Sequence, residues 1–292
     1  MEAGGHACTG ALAGAVSSST VGALTGADLG VAGTAVGALL GAGAALLPDL
    51  DADGATAYRS GGRVTALVGE CFQFLARTTY GRTRLPHDPR GDGEHRGLVH
   101  TPIFAASLGL LVGLGALLTP WVTGIAMVMV LAPGISALSR SGPRWVRRRL
   151  CTDQDPVALL AAGAITWSLA VAGAMAELGW FAGLSITMGM VVHSVGDSAT
   201  RSGICWTFPI RRRCAKCSRK AGARCSGARW RRGHVLPKSM RWSVGSRGGK
   251  RIERAIELVC LVLVAALLVP DLAEFARTLT WSGHGDSPGS RP

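Results

Sequence analysis

Long apolar runs alternate with polar, mostly basic stretches along this chain. Residues 7–47, 103–138 and 157–192 contain at most one charged side chain each. Each run is close to twice the ~20 apolar residues that an α-helix needs to cross a bilayer. The pattern therefore predicts three helical hairpins, and a shorter apolar run from about residue 256 to residue 269 predicts one further span.

The turns of the hairpins are expected where a polar or helix-breaking residue interrupts each run. They are predicted near Asp28, at Thr119-Pro120 and near Glu177. The predicted fold is thus an all-α, polytopic transmembrane helical bundle of about seven spans arranged as hairpins, with polar cytoplasmic loops. Glycines recur at four-residue spacing in the first hairpin, which lets helix backbones approach closely in lipid. These glycines are Gly10 and Gly14, Gly22 and Gly26, and Gly33, Gly37 and Gly41.

Composition and charge exclude other classes of protein and give an orientation. The chain is 48% hydrophobic and 17% charged, whereas soluble domains are about 25% charged and disordered chains have low hydrophobicity. Of the 31 Lys and Arg residues, 29 lie in residues 48–101, 140–149 and 201–254. The hairpins put these three blocks on one side of the membrane. The protein is therefore expected in the cell (inner) membrane. The positive-inside rule predicts that this side, with the N-terminus, faces the cytoplasm.

Metal-competent side chains gather at the predicted cytoplasmic ends of the spans. They are His6, Asp49, Asp51, His95, His100, His193 and Asp197. His193 and Asp197 are four residues apart, which places both on one helix face. Taken singly, each residue also fits a helix end or a solvated loop. Together on one side of the membrane, imidazoles and carboxylates predict a metal site, with zinc the first candidate and manganese or iron the alternatives.

The order of four motifs resembles a known family. The motifs are His6, Leu-Leu-Pro-Asp-Leu-Asp at 46–51, His-Arg-Gly-Leu-Val-His-Thr at 95–101, and His-x-x-x-Asp-x-x-Thr-x-x-Gly at 193–203. In this order they resemble the YdjM-like family of inner-membrane metal-dependent hydrolases, which carries a domain of unknown function (457). The segments 206–209 and 240–246, followed by Glu253, are similar to its closing elements.

The resemblance covers roughly residues 1–270 and implies a membrane-embedded metal-dependent hydrolase. The chain departs from the family's pattern at one position. Relatives often continue Pro-Asp-x-Asp with a histidine, where this chain has Ala52 and then Asp53. This departure leaves the identity of the metal, and the activity itself, open.

The ligand set is large enough for one zinc ion or for two metal ions. A bound metal lowers the pKa of water from ~16 toward ~7, which supports hydrolysis of an ester or phosphoester. Asp53 or Glu94 is the expected general base. Arg96 either neutralises a phosphate on the substrate or serves only as a cytoplasmic, topology-setting charge, and Thr200 could hydrogen-bond a ligand. The location of the site predicts a small-molecule or lipid-linked substrate.

A basic insert at residues 210–250 interrupts this domain, and residues 271–292 form a short tail. Four side chains in the insert have partial zinc-knuckle spacing: Cys214, Cys217, Cys225 and His234. A flexible loop with incidental cysteines explains them as well. The positive charge of the insert favours membrane lipids as partners. Nucleic-acid binding is not expected, because only two tryptophans in this region could stack on bases.

A different class of function is the alternative. The chain could be a non-catalytic polytopic membrane protein, either a transporter or a membrane-anchored binding module. A transporter is expected to hold polar groups near the middle of the bilayer. The candidate ligands lie at one end of the spans instead, and the hydrolase is therefore the favoured interpretation.

Overall fold

The computed structural model describes residues 1–25, 30–83, 96–141, 156–173, 175–210 and 233–282, and these residues form helices and no β-sheet. The predicted Cys214, Cys217 and Cys225 loop, Glu94 and His95 lie outside the described residues. The helices are α1 (Ala3–Thr25), α2 (Gly30–Ala44), α3 (Thr56–Ser60), α4 (Arg63–Thr83), α5 (Pro102–Leu118), α6 (Pro120–Ser141), α7 (Pro156–Val171), α8 (Met175–Ser198) and α9 (Arg247–Ser282).

A helix occupies each predicted apolar run, and the all-helical prediction is confirmed. Among the described residues, three stretches are long and apolar enough to cross a membrane: Gly30–Asp51, Pro120–Arg140 and Leu178–Ser198. The helices Pro102–Leu118 and Pro156–Val171 are apolar but shorter. A total of seven spans is not confirmed, because serine and threonine dilute α1 and charged residues precede the apolar part of α9.

The predicted glycine contacts join α1 to α2. A Cβ atom added to Gly14 would overlap the carbonyl oxygen of Gly37, and one added to Gly10 would overlap that of Gly41. The two backbones therefore touch along this seam, as small residues allow in lipid. This close approach fixes the position of the N-terminal part of α1 against the end of α2.

The core of the bundle lies where α1, α2, α6 and α8 pack together, with α5 along α8 and α7 along α6. Fully buried side chains in this core include Leu40, Met127, Leu131 and Met190. The outer faces of the apolar helices expose large hydrophobic side chains. In α5 and at the start of α6 these are Leu110, Leu111, Leu114, Leu117, Leu118 and Trp121. Large apolar side chains on the outer surface are typical of a protein whose outer surface faces lipid.

The polar stretch between the first two hairpins contains an element that the sequence analysis assigned to a loop. Residues Arg63–Thr83 form the 21-residue helix α4. Its inner face packs against the turns Leu47–Asp51 and Leu98–His100, which carry the candidate ligands. The loop residues are therefore a structural support of the site.

Candidate metal centre

Four separate segments bring the predicted ligands together at one end of the bundle. His6 comes from the first turns of α1, and the turn Leu47–Asp51 supplies two aspartates. His100 ends the turn Leu98–His100, and α8 supplies His193 and Asp197. All of these side chains are almost inaccessible to solvent except that of Asp49, which is 19% exposed. The site is therefore enclosed by protein and opens at Asp49.

Four ligand atoms form a closed ring in the centre of this cluster. The Nε2 atom of His193 lies 3.6 Å from Oδ1 of Asp49 and 3.7 Å from Oδ2 of Asp197. The Nε2 atom of His100 lies 4.0 Å from the same oxygen of Asp49 and 3.9 Å from the same oxygen of Asp197. Two imidazoles thus alternate with two carboxylates around a common point.

The ring matches the size of a coordination shell. In a tetrahedral zinc site with metal–ligand distances near 2.1 Å, adjacent ligand atoms are about 3.4 Å apart. The four distances in the ring are 3.6–4.0 Å. Within the ring, the ligand atoms of Asp49, His100 and His193 all lie within 4.8 Å of one another, and this donor set suits zinc, manganese or iron.

The ring of His193 is oriented by the backbone of α2's C-terminal end. Its Nδ1 atom lies 2.7 Å from the carbonyl oxygen of Ala45. Because a carbonyl only accepts hydrogen bonds, Nδ1 carries the proton, and the Nε2 lone pair points into the ring of ligands. This Nε2 atom is buried and has no hydrogen-bond partner among the residues that the structure describes. A buried acceptor in this state is costly, and a metal ion would satisfy it.

His100 is oriented by Asp51. Its Nδ1 atom lies 3.4 Å from Oδ2 of Asp51, on the side of the imidazole opposite the ligand ring. The two aspartates diverge because residues two apart on a 3₁₀ turn point about 240° apart around its axis. Asp49 therefore reaches the ring while Asp51 flanks the outer nitrogen of His100. Burial lowers the pKa of His100, but the carboxylates of Asp51, Asp197 and Asp49 more than offset it and raise this pKa above its ordinary value.

Local sequence signals fix the position of His100. Thr101 is the N-cap of α5, since its Oγ1 atom accepts the amide hydrogen of Phe104 at 3.2 Å, and Pro102 occupies the first helical position. Both residue types favour a helix start. The hydroxyl of Ser194 also donates to the carbonyl oxygen of His100 at 2.8 Å. The histidine is thereby held between a helix start and α8.

His6 completes the cluster from the side of α1. Its ring stacks on that of His193, with 3.7 Å between centroids, and its Nε2 atom lies 3.3 Å from Oδ1 of Asp197. Gly196 leaves room for this ring, because an added Cβ would lie 3.3 Å from Cε1 of His6. His6, His193 and Asp197 form a second group with metal-ligand spacing, which shares two members with the ring.

Two cationic groups hold Asp197 from the other side. The guanidinium of Arg96 contacts both carboxylate oxygens, at 3.1 Å from Nε and 3.2 Å from Nη2, and the ammonium of Met1 lies 2.7 Å from Oδ1. Arg96 adopts a left-handed backbone conformation with φ of 60°, which costs a non-glycine residue roughly 1–2 kcal/mol. The bidentate ion pair compensates for this strain, and it places a positive charge beside the candidate metal position.

Two other predicted residues lie away from the ring. Asp53 is exposed, and its Oδ1 atom accepts a hydrogen bond from Nε2 of Gln73 at 2.5 Å, because the chain leaves the turn at Ala52 in an extended conformation. Thr200 donates its hydroxyl to the main-chain oxygen of Asp197 at 2.7 Å and contacts no ligand side chain. It fixes the end of α8.

Supporting contacts that the sequence analysis did not identify surround the site. Gln73 donates to the main-chain oxygen of Asp51 at 3.3 Å. Glu253 is buried and accepts hydrogen bonds from the indole of Trp242, at 3.1 Å, and from the amide of Glu2, at 3.3 Å. A carboxylate at the start of α1 stabilises a helix N-terminus. A glutamine in a helix gives no sequence signal of such a role. Glu253 was part of a sequence motif, but the motif did not indicate which groups it contacts.

A cavity of about 620 Å³ opens beside the site. Asp49, the ring member that is partly exposed, forms part of its wall. The other charged residues of the wall are Glu2, Arg140, Lys250, Glu253, Arg254 and Glu257. The ligand ring therefore has access to a polar space large enough for a small molecule or a lipid headgroup.

Comparison with known proteins agrees with the motifs. No curated protein and no solved structure matches the chain significantly. The model of the YdjM inner membrane protein family matches residues 1–145, which include α1, the turn Leu47–Asp51 and the turn with His100. The resemblance drawn from the sequence motifs is thereby confirmed over residues 1–145, which are similar to the YdjM inner membrane protein family.

Proposed function

We propose that this protein is a membrane-bound, metal-dependent hydrolase that acts on an ester or phosphoester. The single observation that carries the proposal is the ring of Asp49, His100, Asp197 and His193, whose ligand atoms lie 3.6–4.0 Å apart beside an open cavity. A purely structural cluster would be expected to satisfy its buried nitrogens internally, yet Nε2 of His193 has no hydrogen-bond partner within the described part of the chain.

The ring residues would hold the metal, and His6 lies where it could bind a second ion or a fifth position. When bound, a metal of this class supplies Lewis acidity and a water molecule of lowered pKa. Asp51 and the carbonyl of Ala45 orient the two imidazoles of the ring. Zinc remains the first candidate because imidazoles and carboxylates are among its usual ligands, and a catalytic zinc site needs three of them and leaves one position for water.

Arg96 supports a substrate with a negatively charged group. The guanidinium lies against Asp197 at the edge of the ring, where it could pair with a phosphate oxygen that approaches the metal. The cavity wall itself carries both signs of charge: it holds the basic Arg140, Lys250 and Arg254 and the acidic Glu2, Asp49, Glu253 and Glu257. The expected general base is Glu94, since the carboxylate of Asp53 hydrogen-bonds Gln73 away from the ring.

The membrane topology is part of the proposal. Seven spans with the site and the N-terminus on the cytoplasmic side follow from the clustered Lys and Arg residues. A site at this level would meet the headgroups of the inner leaflet, which favours a lipid-linked substrate. The position of the ligands also opposes the transporter alternative, since all of them lie near the ends of helices or candidate spans, or in an adjoining turn, and none lies at the middle of a span.

The proposal is tested by metal content and hydrolysis with the same purified samples. The native chain, His193→Ala and the matched control Asp53→Asn are purified in detergent without chelators and loaded with zinc, manganese or iron. Hydrolysis of phosphoester and carboxyl-ester lipid analogues is then measured. The proposal predicts bound metal and turnover in the native chain and Asp53→Asn, and neither in His193→Ala. If the native chain binds metal but hydrolyses neither substrate class, the membrane-anchored binding module is favoured. If no sample binds metal, the transporter is the remaining interpretation.

A further inference from the structure

Helix α4 presents an apolar stripe to its surroundings. Leu67 and Phe74 are 61% and 67% exposed, Val64 and Leu75 are about half exposed, and Cys71 lies on the same stripe. These residues recur at intervals of three and four along the helix, which places them on one face. A continuous face of this kind on a soluble surface would be unusual, so it requires an occupant.

The charged residues of α4 border this stripe. Arg63, Glu70 and Arg77 lie along one flank, and Arg82 lies at the end of the helix. Three of these four residues are cationic. An apolar face bordered by basic residues is typical of helices that lie in the plane of a membrane surface, where anionic headgroups attract the basic side chains.

The position of α4 in the fold agrees with that arrangement. The ring of Phe72, on the inner face, packs edge-on against Phe104 with 5.4 Å between centroids. Phe104 belongs to the first turn of α5, an apolar helix that exposes Leu110 and Leu111 further along. Helix α4 therefore lies at the end of the apolar helices, where the hydrocarbon gives way to headgroups.

We propose that α4 is an interfacial helix that binds the headgroup layer of an anionic membrane. Val64, Leu67, Phe74 and Leu75 enter the boundary of the acyl chains, and the basic flank contacts anionic phospholipid headgroups. This proposal does not depend on hydrolysis.

The inner face of α4 connects this surface to the ligand-bearing turn. Gly69 packs so closely on the carbonyl oxygen of Leu50 that a Cβ atom would lie 2.5 Å from it, and Gln73 donates to the main-chain oxygen of Asp51. Lipid contact on one face of α4 is thus transmitted through a single helix to the turn that carries Asp49.

Two neighbouring thiols in one molecule test the proposal. The Glu70→Cys variant carries a thiol on the polar flank beside the native Cys71 on the stripe. The full chain is reconstituted into vesicles of phosphatidylcholine alone or of equal parts phosphatidylcholine and phosphatidylglycerol. It is then treated with a bulky, charged maleimide, and the modified peptides are resolved by mass spectrometry.

The introduced thiol is expected to react several-fold faster than Cys71 in both vesicles, and Cys71 is expected to lose further reactivity when phosphatidylglycerol is present. Arg63→Gln/Arg77→Gln should remove that further loss. Equal rates at the two positions would overturn the proposal, since the stripe would then face water. If Cys71 is protected in detergent only when a second protein is bound, the stripe is the binding surface for that protein and not for lipid. If phosphatidylglycerol does not change the reaction rate of Cys71 in the native chain, the proposed contact with anionic headgroups is wrong.

Discussion

Asp51 offers the sharpest test of how the metal centre is built. Its carboxylate contacts Nδ1 of His100 at 3.4 Å, on the opposite side of the imidazole from the ligand ring. We therefore expect Asp51 to orient His100 and not to coordinate the metal itself. Asp51→Asn keeps the size of the side chain but removes the charge that holds the proton on Nδ1.

The geometry gives the magnitude of the effect. Loss of a carboxylate that supports a metal-binding histidine lowers metal affinity about 10- to 100-fold, or about 1.4–2.7 kcal/mol. Loss of a ring ligand in His193→Ala should instead abolish stoichiometric binding. A competition titration of zinc against a fluorescent chelator in detergent measures both quantities. Asp53→Asn, two residues further on and hydrogen-bonded to Gln73, is the matched control and should bind like the native chain.

Two results would refute this reasoning. If Asp51→Asn loses stoichiometric zinc as His193→Ala does, Asp51 is itself a ligand, as the sequence alone allowed. If Asp51→Asn binds zinc with unchanged affinity, the contact with His100 does not support the metal. An intermediate affinity with unchanged stoichiometry is the expected outcome.

Three further results are expected. Gly14→Leu should reduce the yield of monodisperse protein and its zinc content together, because its side chain would overlap the backbone of Gly37; size-exclusion profiles and metal analysis measure this, and a well-behaved, zinc-loaded variant would contradict the close packing of α1. Asp197→Asn should lower the free energy of unfolding by about 3–5 kcal/mol, since it leaves the buried ammonium of Met1 and the partly buried guanidinium of Arg96 without their counter-charge; an unchanged thermal or denaturant transition would show that these ion pairs are dispensable. Zinc at about 100 times its Kd should stabilise the native chain by ~2.7 kcal/mol and should leave His193→Ala unchanged, as thermal unfolding in detergent can show.

Much of the fold could be predicted from the sequence because the bilayer imposes a simple rule. Uncharged runs of membrane length must be helical, and Thr119-Pro120 interrupts one of them where α5 ends and α6 begins. The rule carries no information about polar segments. Helix α4 was therefore not predicted. Its apolar residues are divided between two faces, one that packs against the site and one that forms the exposed stripe.

The candidate ligands could be predicted as a set, but their individual positions could not. The spacing of His193 and Asp197 places both on one helix face, and the structure brings Nε2 and Oδ2 to 3.7 Å. The different positions of Asp49, Asp51 and Asp53 depend on the 3₁₀ geometry of one short turn. A sequence pattern of alternating aspartates does not reveal which carboxylate points inward.

The central claim is that histidines and aspartates, and not the cysteine-bearing insert, hold a metal ion. X-ray absorption at the zinc edge of the loaded, detergent-purified chain tests it most directly. The account predicts a first shell of nitrogen and oxygen at about 2.0–2.1 Å with the signature of two or three imidazoles. A shell of sulfur at about 2.3 Å would place the metal on cysteines and contradict the account.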